Sequence, residues 1–357
     1  MRILFLTTAA EDFHQDLVFH GLVTLLGREN VWDVPEQPRY AARPPPDYRH
    51  QAMAYLDLPP GGHGGQALED LAGEADAVVV GAVRGDANLG LLRLLELGIS
   101  CPVAVLDGAD DPYVRAAIDY ADVYFKRETL PGSRWLQMRL PIRKRYHALR
   151  GHAHWNHPLR RQIALATPSV QKLVPLPLGI IDAGTPLMSR EKLFDVTFIG
   201  ARTSPQRALV VSKLRALRAE GYRVKFPDDP AWSREEWYEP TRIPWAEYMR
   251  LSSESRICLN VRGLGYDTFR YWEIPYSGSL LLSEPPRTVI PNNFVDGAEA
   301  VFGPASKLDR IAKRLLEGDT EEIAAAGREK LLEFHTSTAR AQVVLDHLEA
   351  LVPARSG

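Results

Sequence analysis

A chain of 357 residues exceeds what one hydrophobic core usually supports, so two domains are expected. Its composition, 45% hydrophobic and 25% charged, is that of a globular protein, and a formal net charge of −2 argues against a general binder of nucleic acid or membranes. The two cysteines, Cys101 and Cys258, each have apolar neighbours, which argues against a disulfide framework and for a reducing, cytoplasmic compartment.

The opening "MRILFLTTAA" has too short an apolar core for a secretory signal and is followed by Glu11-Asp12, so it reads as a first strand. No stretch approaches the roughly 20 apolar residues that span a bilayer. Strand-like runs then alternate with helical spacing: "DLVFHGLVTLLG", "ADAVVVGA", "LGLLRLLELG", "CPVAVLDGA", "PYVRAAIDYA" and "DVYFKRE". Short Val-rich runs separated by helices imply parallel βαβ units and a Rossmann-like domain. "PEQPRYAARPPPDYRH" and "PPGGHGGQ" interrupt the alternation and are expected to be loops.

Residues 134–161 break the rhythm with a basic, aromatic stretch, and "KLVPLPLGIID" follows as an extended segment. The domain boundary is placed there, near Pro175 to Asp182, giving residues 1–175 and 176–335 as the two domains and 336–357 as a C-terminal helix. Beyond it the alternation restarts with "FDVTFIGA", "SPQRALVVSKLRALRAEG", "YRVKF", "PWAEYMRLSSES", "RICLNV", "TFRYWEIPYSG", "SLLLSE" and "EAVFG". Three helices are expected after these, at about 306–317, 320–333 and 336–351. No repeat at solenoid periods is seen.

In doubly wound sheets ligands bind at the carboxyl ends of strands, where helix N-termini present N–H groups to anions. "FIGARTSPQR" places Gly200, Arg202, Thr203, Ser204 and Arg207 at such a point, which suits a diphosphate. The plainer alternative is that Ser204-Pro205 caps a helix and the arginines face solvent. "RICLNVRGLGYDTFRYWE" repeats the arrangement with Asn260, Arg262, Thr268 and Arg270. A dinucleotide fingerprint is rejected, because Thr268 stands where its third glycine would fall. A helix starting near Asp267 puts Arg270 and Glu273 on one face. Arg270 could then meet phosphate while Glu273 accepts hydrogen bonds from sugar hydroxyls. A surface Arg270–Glu273 pair of little energetic weight is the alternative.

Arg270, Trp272, Glu273, Gly278, Phe294, Gly297, Glu299, His335, Thr336, Arg340 and Ala341 follow one another in the order found in the C-terminal domain of group 1 glycosyltransferases, and residues 256–346 resemble that domain, in its spore-coat-maturation-like branch. "DVTFIGARTSPQR" is similar to the family's first C-domain strand and "LVPLPLGIID" to its interdomain strand. The resemblance implies an α/β protein of GT-B fold, two Rossmann-like domains facing each other across a cleft, with the last helix returning to the first domain. It also implies a transferase that moves a sugar from a nucleoside diphosphate to an acceptor and needs neither metal nor other cofactor.

UDP or GDP is the expected donor nucleotide. The acceptor is left open among carbohydrate, lipid-linked, protein and small-molecule classes, with no nucleic-acid partner. Many retaining relatives carry a second, ribose-binding glutamate eight residues after the first; Leu281 stands there in this chain, and Glu284 is the candidate replacement. The resemblance puts the catalytic base on the N-domain. Strand-end candidates are Asp12, His14, Arg84, Asp86, Asp107, Asp110 and Asp111, with His14, Asp107 and Glu273 taken as catalytic; an inverting enzyme needs such a base, a retaining one does not. Turn and capping roles are the alternative for the aspartates. His152, His154 and His157 lie in "HAHWNHP", which reads as a solvated loop rather than a metal site. The basic residues of 134–150 read as a solvated helix face, with peripheral contact to a membrane or an anionic acceptor as the other reading. Outside glycosyl transfer, a GT-B-fold sugar-nucleotide epimerase and a non-catalytic nucleotide-sugar-binding protein are the rivals.

Overall fold

A computed structural model describes residues 1–10, 12–43, 56–61, 66–112, 114–131, 172–181, 191–201, 204–226, 243–263 and 265–352. The first sheet is built from β1 (Ile3–Leu6), β2 (Val31–Val34), β3 (Ala77–Val80), β4 (Val103–Asp107), β5 (Val123–Lys126) and β6 (Leu173–Pro175), in the order β2-β1-β3-β4-β5-β6. Every pairing in it is parallel. Helices α1 (Phe13–Leu26), α2 (Leu68–Glu74) and α3 (Gly85–Leu97) connect the strands. Strands of a parallel sheet covered on both faces need apolar residues at every position. β1 shows how: Ile3 and Phe5 pack into the core shared with α1, and Leu4 and Leu6 into the core shared with α3.

The second sheet repeats the design with β7 (Phe194–Thr197), β8 (Val224–Lys225), β9 (Ser255–Asn260), β10 (Leu280–Ser283) and β11 (Val301–Phe302), ordered β11-β10-β9-β7-β8 and again parallel. Its helices are α4 (Pro205–Ala219), α5 (Trp245–Ser253), α6 (Phe269–Tyr276), α7 (Leu308–Leu316), α8 (Glu321–Phe334) and α9 (Ser337–Glu349). Two separate parallel sheets with helices give the α/β, two-domain architecture of the GT-B fold.

One local expectation differs from the structure, and one strand has no counterpart among the expected elements. "VWDV" forms β2, although it holds the buried Asp33; the Arg28 guanidinium pairs with that carboxylate, which lets the strand enter the core. "PYVRAAIDYA" forms only a short 3₁₀ turn at Ala116–Tyr120 rather than a helix.

Helix α9 lies against α1 of the first sheet. Gly21 is the point of closest approach: a Cβ there would lie 2.0 Å from the Ser337 carbonyl oxygen. Beside it, His20 Nδ1 and Ser337 Oγ are 2.9 Å apart. One apolar core therefore joins Leu17 and Leu22 of α1 to Val344 and Leu348 of α9, and reaches Trp272 of α6. The crossover at 176–180 is tied to the start of α9, because Ile180 N–H donates to His335 O (2.9 Å) and Ser337 N–H to Ile180 O (2.8 Å).

Candidate active site

The strand orders reverse direction between β1 and β3 in one sheet and between β7 and β9 in the other, and ligands bind outside the carboxyl ends of strands at such points. The two carboxyl edges face each other. Phe13, the first residue of α1, meets Phe269, the first residue of α6, edge to face with ring centroids 4.9 Å apart. Thr129 O, beyond β5, accepts from Val289 N–H, beyond β10, at 2.6 Å.

On the second sheet, α4 and α6 both begin at this edge. Ser204 caps α4 and donates to Arg262 O at 3.3 Å, so the cap also fastens the loop after β9. Arg270 lies along the loop after β7. Its Nε donates to Ile199 O, and a Cβ on Gly200 would fall 3.0 Å from the Arg270 Cζ, so glycine is what lets the guanidinium pass. Arg207 plays a different part. Its side chain is buried and donates to the carbonyls of Ala201 (2.9 Å), Val261 (3.1 and 3.2 Å) and Arg262 (3.1 Å), bracing the two loops. Burial, aided by the nearby Arg270 charge, draws its pKa down to about 9.

Asn260, Thr268 and Ser283 form a chain of hydrogen bonds: Thr268 Oγ1 donates to Asn260 Oδ1 (2.7 Å) and Asn260 Nδ2 to Ser283 Oγ (2.9 Å). Glu284 directly follows β10 and accepts from the Arg262 N–H at 3.0 Å, while the Arg262 side chain donates to Tyr266 Oη at 2.6 Å. Glu273 is buried, and Trp245 Nε1 donates to its Oε1 at 3.1 Å. Burial raises its pKa, against the pull of the neighbouring Arg270 charge and of the Trp245 hydrogen bond. Gly200, Arg207, Asn260, Arg262, Thr268, Arg270, Glu273 and Glu284 thus share one end of the sheet. Gly278 does not. It precedes β10 at the opposite edge, with φ of 76° just past the end of α6, and serves the helix stop rather than a ligand. Arg202 and Thr203 lie outside the described residues, as do Asp182, the basic stretch 134–150 and the three histidines of "HAHWNHP".

On the first sheet, His14 stands in the first turn of α1 and is fully buried, with neither ring nitrogen in a well-formed hydrogen bond among the described residues and the Leu176 backbone close to the ring. Burial and then the Arg127 charge lower its pKa to about 3, so the ring is neutral at physiological pH. Asp107 is occupied: Lys126 Nζ lies 3.1 Å from Oδ1, Tyr124 Oη donates to Oδ2 at 2.5 Å, and Ala109 N–H donates to Oδ1 at 3.1 Å. Asp12 caps α1 by accepting from Gln15 N–H at 3.2 Å and pairs with Arg84 at 3.2 Å; burial lifts its pKa to about 6. Asp110 pairs with Arg127 (2.6 Å) and Asp111 with Arg115 (2.7 Å), while Asp86 is exposed in the first turn of α3.

The later motif residues hold the scaffold. His335 is buried against Trp272, ring centroids 4.7 Å apart, and Arg340 donates to Pro177 O (3.0 Å) and Leu178 O (2.8 Å) of the crossover. Sequence reasoning missed Trp245, Asp267, Arg127 and Glu128. The last two had a signal, since "KRE" directly follows a strand core. Among the described residues no group of three or more His, Cys, Asp or Glu side chains is placed to hold a metal, and no helix is long and apolar enough to cross a membrane.

Residues 202–346 match a family model described as glycosyl transferase-like. No curated protein matches the chain. Among solved structures, the chain is similar to a glycosyltransferase from Rickettsia africae ESF-5 at 10% identity, with 99% of this chain and 99% of that one covered and a TM-score of 0.55. It is also similar to Anabaena Alr3699/HepE, determined in complex with UDP-glucose (11% identity, 98% of this chain and 100% of that one, TM-score 0.53) and with UDP and glucose (10% identity, the same coverage, TM-score 0.54). At these identities the structural likeness speaks to the fold.

Proposed function

We infer, from the premise that this chain is a glycosyltransferase of the group 1 type with a GT-B fold, that it takes a UDP-linked or GDP-linked sugar at the carboxyl edge of β7, β9 and β10 and passes the sugar to an acceptor held by the first sheet. The observation that carries this reading is the convergence of the α4 and α6 N-termini with the Arg270 guanidinium beside Gly200, and with Glu273 in the second turn of the same helix. Helix N-termini and a guanidinium are the donors a diphosphate needs, and they stabilise charge that grows on the leaving group. That positive field can replace a divalent cation, so the reaction is taken to need no metal. The uridine ligands of the Anabaena protein favour UDP of the two nucleotides.

Arg207 supports the phosphate loops from behind. Glu273 addresses hydroxyls of the sugar or the ribose, and Glu284 has one carboxylate oxygen committed to the loop after β9. On the acceptor side His14 is the better base, because Asp107 is saturated with partners. The reading takes residues 1–175 as the acceptor domain, 176–335 as the donor domain and 336–357 as the returning tail. It places the protein in the cytoplasm, with a carbohydrate or a carbohydrate-bearing molecule as acceptor.

The test is a thermal-shift panel of nucleoside diphosphates and nucleotide sugars, followed by product analysis with the donor that binds. Transfer to an added sugar acceptor is the expected result. An isomerised donor would make the protein an epimerase, and saturable binding without any product would make it a non-catalytic binder.

A further inference from the structure

Two consecutive residues at the end of β5 hold a single residue of the opposite sheet. Arg127 donates through Nη2 to the Asp267 carbonyl, and its Nε lies 3.4 Å from Asp267 Oδ2. Glu128 Oε1 accepts the Asp267 N–H at 2.9 Å. Both backbone groups of Asp267 are thus taken by the other domain. The Asp267 side chain is fixed as well, with Oδ1 accepting from Trp272 Nε1 (2.7 Å) and Oδ2 from Leu178 N–H (2.6 Å). Gly265 makes room for this grip: a Cβ there would stand 2.2 Å from Glu128 Oε1. Arg127 is oriented in turn by Asp110 (2.6 Å) and by Gly108 O (3.1 Å).

Asp267 directly precedes Thr268, the N-cap of α6, and α6 carries Arg270 and Glu273. A rigid helix moves with its first turn, so whatever fixes Asp267 fixes the two donor-site side chains. We propose that Arg127 and Glu128 are positioning residues of the donor site: by gripping the backbone of Asp267 from the acceptor-side sheet, they set the start of α6 and make nucleoside diphosphate binding depend on the docking of the two domains. The inference rests on the reading given under Proposed function. Neither residue touches the donor; both act through Asp267, and the acceptor domain thereby contributes to a site built from the other half of the chain.

Calorimetric titration of the full chain with UDP and with GDP tests it, using whichever the wild-type protein binds more tightly. Glu128→Ala should raise Kd about 10-fold, the effect of losing one buried hydrogen bond. Glu128→Gln, which keeps an oxygen at the same reach, should bind as the wild type does. Gly265→Ala should weaken binding as Glu128→Ala does, because the added Cβ pushes the Glu128 carboxylate off the Asp267 N–H while both side chains are kept, and it decides the matter if Glu128→Ala does not fold. Wild-type affinity in the deciding variant overturns the proposal. So does a Glu128→Gln protein as weak as the alanine variant, since a merely structural loss has no reason to be rescued by the amide. If the wild-type protein binds neither nucleotide, the functional reading itself has failed before any variant is compared.

Discussion

Trp245 and Glu273 meet across two helices: the indole Nε1 of α5 donates to the buried carboxylate of α6 at 3.1 Å. Burial is the largest influence on this carboxylate and raises its pKa. A raised value means that ionisation opposes folding, so the stabilising contribution is present at low pH and lost as pH rises through the folded-state value. Glu273→Gln should therefore melt at the same temperature as the wild type or higher at neutral pH. Its transfer activity should fall roughly 10-fold or more, because a charge-assisted hydrogen bond to a substrate hydroxyl contributes about 1.5–3 kcal/mol. Melting curves with steady-state transfer assays check both halves, and near-wild-type activity would make the glutamate structural.

The two arginines at the carboxyl edge of the second sheet should separate in their effects. Arg270 is half-buried and has one backbone partner, so Arg270→Ala should weaken UDP binding with little change in melting temperature. Arg207 ties together three backbone carbonyl groups and is buried, so Arg207→Ala should lower the melting temperature by several degrees, in line with roughly 1–3 kcal/mol for buried acceptors left unsatisfied. Calorimetry and melting curves on the pair decide whether the assignments hold or are reversed.

The sheets and their alternation were legible because buried parallel strands carry apolar residues on both faces, as "ILFL" and "AVVV" do, and the last three helices fell within about two residues of their expected bounds. The grouping of residues at the carboxyl edge of the second sheet was legible in part. Strand-end position predicted the company of Gly200, Asn260, Thr268 and Arg270, but it gave no means of telling Arg207, which turns inward to carbonyls, from Arg270, which runs along the loop. Gly278 closes α6 with φ of 76°, and a glycine near a site motif and a glycine ending a helix look alike until φ is known. The contacts of Arg127 and Glu128 with Asp267 join residues about 140 positions apart, and no local pattern encodes such a pairing.

Glu128 provides a pH test of the domain junction. Burial first, and then the Asp267 charge, lift its pKa from 4.5 to about 7, with Asp110 acting in the same direction and Arg127 opposing. The contribution to stability is complete below about 4.5 and is lost as pH rises to about 7. Glu128→Gln carries no charge to desolvate, so its stability, read as melting temperature, should pull ahead of the wild type between those values and stay ahead above them, by a free energy on the order of 3 kcal/mol. Asp12 is shifted in the same direction in both proteins, so the difference between the two curves isolates Glu128. A constant difference from pH 4.5 to 8 would show that Glu128 does not titrate in this range.

Gly21 tests the attachment of the C-terminal helix. With Ser337 O at 2.0 Å from any added Cβ, Gly21→Ala must push α9 away from α1, because the obstructing atom is backbone and cannot rotate aside. A loss of about 1–3 kcal/mol is expected for this overpacking. Chemical denaturation of the variant measures it, and an unchanged midpoint would mean that the two helices shift apart without cost.

Substitution of His14 tests the stereochemical course. Its ring is buried at the start of α1, beside the meeting point of α1 and α6 and close to the Leu176 backbone. Burial and the Arg127 charge lower its pKa to about 3, so the imidazole is unprotonated at every working pH but is a weak proton acceptor until a bound acceptor hydroxyl changes its surroundings, and the rate of transfer should show no inflection near the ordinary histidine value of 6.5 on its account. His14→Gln keeps a polar group of similar size but cannot take a proton. If His14 is the base of an inverting reaction, this variant should bind UDP as the wild type does and lose transfer by about 100-fold, the lower end of what a positioned base contributes. Unchanged turnover would remove His14 from the chemistry and favour a retaining course, in which the donor-side groups around Arg270 and Glu273 do the catalytic work without a base from the first sheet.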